Sequence, residues 1–155
     1  MRRCKLIVLV AAVACRESAQ REAQGESAFV NLQARGESAM GVNQYTSAHR
    51  FESLPDGGRI ELQRDTSDRA GVETIRAHMR DIAARFSRGD FTIPGFVHAR
   101  EVPGTQVMAQ RKGQITYEAR ELPGGAEVRI RATDPVAVQA IHEFLAFQRS
   151  DHRAH

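Results

Sequence analysis

Tryptophan is missing from this 155-residue chain, and aromatic residues make up only 6% of it. Cysteine is nearly as scarce: the two present, Cys4 and Cys15, both fall within the first fifteen positions. Downstream of Cys15 there is therefore no material for a disulfide, a cysteine-ligated zinc or a thiol nucleophile. Phosphate-binding loops ending in Gly-Lys-Ser/Thr and nucleophile elbows of the Gly-x-Ser-x-Gly kind are absent too. Long apolar runs are also missing. The stretch Leu6 to Ala14 covers about half of the roughly 20 residues that a bilayer-spanning helix needs.

What the N-terminus does contain is the order of a signal peptide: Met1-Arg2-Arg3-Cys4-Lys5 carries three positive charges and no acid, and runs straight into that apolar stretch. The following Ala12-Val13-Ala14-Cys15 satisfies the small-x-small cleavage rule and is similar to the lipobox of bacterial lipoproteins. Residues 1–14 are thus expected to be a signal sequence and Cys15 a lipid-attachment site. The mature protein is then periplasmic or anchored in the cell envelope, with the membrane as one partner and an envelope protein as another. Losing residues 1–14 removes Arg2, Arg3 and Lys5, which cancels the formal charge of +3. No basic block interleaved with aromatics remains, so nucleic acid is not an expected partner.

Residues 15–47 hold few large apolar side chains and repeat the unit Glu-Ser-Ala at Glu17, Glu26 and Glu37. That composition reads as a flexible linker. From 48 onward the pattern becomes that of one domain running to 155. Phe51 to Arg64 reads as a hairpin turning at Pro55-Asp56-Gly57-Gly58. Ser67 or Asp68 then caps a helix with apolar positions Val72, Ile75, Met79, Ile82 and Phe86, closed by Ser87-Arg88-Gly89.

The last third repeats the scheme. Ile115–Leu122 and Ala126–Ala132 flank the turn Pro123-Gly124-Gly125, and Thr133 or Asp134 caps a second helix with Pro135 in its first turn and Val138, Ile141 and Leu145 as its stripe. The predicted fold is α+β: a duplicated ββα unit, 48–89 and 114–152, making a four-stranded antiparallel sheet with two helices on one face. Between the repeats, residues 90–113 are expected to be a long connecting loop with turns at Pro94-Gly95 and Pro103-Gly104. Such loops often carry function.

With thiols excluded, the versatile side chains are the six histidines, His49, His78, His98, His142, His152 and His155. His78 and His142 flank the two helical stripes, His98 lies in the connection and His152 follows the second helix. Met79 adjoins His78, and Met108 ends the connection. Imidazole with thioether suits copper, because soft sulfur favours Cu(I) and nitrogen accepts either oxidation state. Against this, a histidine beside a helical stripe is commonly a half-buried structural residue, and Met79 already has a core position. Matching the two stripes lays His78 on Phe144 and His142 on Arg76. The two helical histidines then occupy opposite flanks and are not expected to meet.

The segments Ala77-His78-Met79 to Ala83, Phe86 to Phe91, Pro94 to His98 with Val102-Pro103-Gly104, and Ala140 to Gln148 with Asp151-His152 give the chain a further character. Over about residues 48–153 it resembles a family of small exported bacterial proteins of uncharacterised role. Similar chains are sometimes named aspartate carbamoyltransferase. This sequence does not support that name, since it has no Ser-Thr-Arg-Thr-Arg motif for carbamoyl phosphate. The expected function is transition-metal binding, copper favoured, through His78, His98, His142 and His152 with Met79 or Met108. The alternative is a non-catalytic interaction module of the envelope with structural histidines. Catalysis, such as metal-dependent hydrolysis at the same cluster, is the less favoured third reading.

Overall fold

The computed structural model describes residues 4–154, with side chains from Gln20 onward. The expected signal sequence, residues 1–14, and Cys15 lie outside the residues whose side chains are described. Two compact units divide the chain, Met1–Asn31 and Leu32–His155. Helix α1 (Cys4–Met40) accounts for the described part of the first unit and continues into the second. Among the described residues, no helix is long and apolar enough to cross a membrane.

The predicted architecture is present. Strands β1 (Ser47–Leu54) and β2 (Gly57–Arg64) form one hairpin, and β3 (Ile115–Leu122) and β4 (Gly125–Ala132) form the other. They join through β2 and β4 into a four-stranded antiparallel sheet of order β1-β2-β4-β3. Helices α2 (Arg69–Ser87) and α5 (Pro135–Asp151) follow the two hairpins. In the sheet's central seam Ile60 pairs with Val128, its own repeat equivalent. A pseudo-twofold axis therefore passes through that pair.

Local chemistry sets the helix ends. Asp68 caps α2 by accepting from Gly71 N at 3.0 Å, and Asp134 caps α5 by accepting from Ala137 N at 3.2 Å, with Pro135 in the first turn. Alternation along the strands sends Phe51, Ile60, Leu62, Val128 and Ile130 to one face, where Ile75, Met79, Ile82, Phe86, Ile141, Phe144 and Leu145 cover them. The opposite face carries ion pairs, among them Arg59 with Glu52 and Glu127, and Arg131 with Glu118 at 3.1 Å.

Two segments differ from expectation. The connection over 90–113 is mostly helical, with α3 (Thr92–His98) and α4 (Thr105–Gln110). Asp90 starts α3 by accepting from Thr92 N at 3.0 Å, and Pro94 falls in the first turn, where its missing N–H has no partner to lose. Phe91 anchors this segment on Phe86, with ring centroids 4.5 Å apart. Only the Pro103-Gly104 pair acts as a turn: Gly104 has φ +80° and its Cα faces the Ala140 carbonyl too closely for a side chain.

The segment read as a linker, 15–47, is helical up to Met40, and from Leu32 onward it belongs to the compact unit. Rich in Ala, Glu, Gln and Arg, with no proline before Pro55, it favours helix even without an apolar stripe. Among the residues whose side chains are described, buried positions gather at the helix's end, where Leu32, Gln33 and Gly36 are buried on one side. Val42 then enters the main core, and Arg35 Nε donates to Val97 O at 2.7 Å.

Candidate functional site

Beneath α3, between the sheet and the two long helices, lies an apolar cavity of about 80 Å³. Four of its lining residues are histidines, each brought by a different element: His49 from β1, His78 from α2, His98 from α3, and His152 from the end of α5. Met79 and Met40 line it as well. The rings of His49 and His152 stack with centroids 5.1 Å apart, and His98 meets His152 edge-on at 5.1 Å. Phe51 closes the group at 5.5 Å from His152.

Burial dominates the electrostatics. It lowers the His49 pKa to about 4, with the positive form of His78 adding to the effect. Burial likewise lowers His78 to about 4, with Asp81 opposing and Arg85 reinforcing. For His152, burial and then His49 and His98 bring the value to about 3. At neutral pH these three rings are uncharged imidazoles, the form that can donate a lone pair to a metal. His49 Nε2 is buried and has no hydrogen-bond partner. An unsatisfied buried ring nitrogen carries a cost that a ligand would remove.

His98 is held differently. Its Nδ1–H donates to Asp151 Oδ2 at 2.5 Å, and Nε2 lies 2.9 Å from Gln148 Oε1. Arg100 also binds Asp151, at 3.0 Å, and lies over the Phe147 ring at 4.6 Å. With both ring nitrogens engaged, His98 braces the cavity wall, and a carboxylate behind an imidazole is the usual way such a ring is oriented.

The predicted ligand set thus divides. His78, His98, His152 and Met79 share the cavity. His142 lies outside it, donating from Nε2 to Leu54 O at 2.9 Å, as its position on the opposite flank of the repeat requires. Met108 is also outside, fully buried in the core, where α4 packs against α5. His49 and Met40 are the residues that sequence reasoning passed over. For His49 the signal was available: two positions before Phe51 on a strand, it must face the same side as that core ring. Met40 had no such signal, since its place depends on how α1 ends.

Among the described residues, no group of three or more His, Cys, Asp or Glu side chains is already arranged to hold a metal ion. The rings face one another as stacked and edge-on pairs, so ligation would require them to turn. Comparison with protein-family models, with curated proteins and with solved structures finds no match to this chain.

Proposed function

We propose that this is an exported cell-envelope protein that binds a soft transition metal, Cu(I) favoured, in the histidine cavity. The observation that carries this reading is the gathering of His49, His78, His152 and two methionines, Met40 and Met79, around one apolar cavity. Hard cations need oxygen ligands and retained water, which such a cavity does not offer. Cu(I) accepts imidazole and thioether donors, and as a monovalent ion it loses less than a divalent one on leaving water.

In this reading His49 and His152 supply nitrogen, Met79 or Met40 supplies sulfur, and His98 with Asp151 keeps the wall in place. Lipid attachment at Cys15 would hold the site at a membrane surface. Anaerobic titration of the mature chain with Cu(I) against a chromogenic competitor tests the assignment. One equivalent should bind, and replacing His49 and His152 together by Ala should weaken it by at least about tenfold. No uptake at micromolar Cu(I), or uptake unchanged in that variant, sinks the idea. Tighter binding of zinc would reverse the choice of metal.

A further inference from the structure

The polar face of the sheet carries its charges in two rows. Across β1, β2, β4 and β3 the paired positions are Arg50, Glu61, Glu127 and Arg120 in one row, and Glu52, Arg59, Arg129 and Glu118 in the next. One row is positive at its ends and negative in its middle, and the other is the reverse. The internal duplication inverts each sign: superposing the two ββα units lays Arg50 on Glu118, Glu52 on Arg120, Arg59 on Glu127 and Glu61 on Arg129.

Within one chain this order is costly. Arg59 stands directly opposite Arg129, and Glu61 opposite Glu127, and like charges at paired positions are unfavourable. Other ion pairs offset part of that cost: Arg59 binds Glu52 and lies 3.5 Å from Glu127, Arg129 binds Asp56, and Arg120 lies 2.8 Å from Glu118. They also hold long side chains down against the sheet, so that those of Glu127 and Arg129 are 11% exposed. The face presents a fixed charge pattern.

A second copy of the same face answers that pattern in one orientation. Turned over about a twofold axis that runs between the two rows, perpendicular to the strands, it sets Arg50 against Glu52, Glu61 against Arg59, Glu127 against Arg129 and Arg120 against Glu118. Every charge in the two rows then meets its opposite, and Arg131 in the next row meets Gly125. Turned over about an axis along the strands, each row would lie on its own reverse, and like would meet like.

We propose that the protein forms a symmetric dimer through this sheet face, with the strands of the two copies antiparallel. Four strands of eight residues cover roughly 500 Å² per copy, or about 1,000 Å² in all, the size of a weak and reversible interface. The metal reading plays no part in it.

Sedimentation velocity of the mature chain, carrying Cys15→Ser so that no disulfide can join two copies, tests the assignment. A monomer–dimer equilibrium centred near about 0.1 mM is expected at about 50 mM salt, weakened about tenfold or more at about 500 mM. Arg120→Glu and Glu118→Arg alter side chains that are 48% and 52% exposed, and each alone should reduce association about tenfold or more, because like charges then face each other across the axis. An equimolar mixture of the two variants should dimerise again, since the altered positions then meet with opposite sign. Thermal midpoints close to that of the native chain establish that both variants fold, and the salt series decides with the native chain alone. The dimer is refuted if the native chain stays monomeric at about 500 μM and low salt, if it associates regardless of salt, if either variant associates as well as the native chain, or if the mixture does no better than its components.

Discussion

His152 is ringed by His49, Phe51 and His98 within about 5.5 Å, and that enclosure sets its response to acid. The folded-state pKa values of His49, His78 and His152 lie well below the ordinary value of 6.5. Protons are therefore bound more tightly by the unfolded chain, and stability is lost as pH falls. Between pH 8 and 7 urea denaturation should give a constant free energy. From about pH 6.5 down to pH 4 the midpoint should drop steadily, each ring contributing on the order of 2 kcal/mol. His152→Phe, which keeps the stack and removes the titration, should flatten the curve. An unchanged slope would show that these rings are better solvated than their surroundings imply. The identity of the cluster was partly legible in the sequence: three of its four histidines are those that residue type and position single out. His49 carries no helical signal, and only strand alternation places it on the same face as Phe51.

At the level of elements, caps and stripes were readable because they depend on neighbours in sequence: Asp68, Asp134 and Pro135 act locally, and Val72 to Phe86 repeat at helical spacing. The connection between the repeats was not readable in the same way. Its two helices, α3 and α4, are too short to be stable alone, and exist because Phe91, Val97 and Met108 have the core to pack against. Gly104 is the joint that makes this possible. With φ +80°, and a Cβ position 2.1 Å from Ala140 O, no side chain fits there without moving α4 from α5. Gly104→Ala should cost at least about 2 kcal/mol, visible as a lowered thermal midpoint. A neutral result would mean that α4 can shift away from α5 at little cost.

For the whole molecule, the boundary between linker and domain was the least legible feature, since a helix with no apolar stripe carries no sign of where it begins to pack. Leu32 and Val42 are each 4% exposed, and Met40 lines the cavity. A chain beginning at Leu32 should match the full chain in denaturation midpoint, whereas one beginning at Ala48 should lose several kcal/mol, as two buried side chains of about 2 kcal/mol each disappear. Equal stability of the two would return residues 32–47 to the linker. The duplication was legible because both halves keep the same caps, turns and stripes, and it has one more consequence. Superposing β1 on β3 lays His49 on Tyr117, and superposing the Asp68 and Asp134 caps lays His78 on Phe144 and Met79 on Leu145. Tyr117 even shares the buried, partnerless polar atom of its counterpart. Around it, however, Phe86 packs 5.8 Å from both Tyr117 and Phe144, and the place where a twin cavity would open is filled with rings. The duplicated frame is therefore uneven: at one of the two equivalent positions Phe86, Tyr117 and Phe144 fill the space, and at the other the histidine cavity opens between both halves.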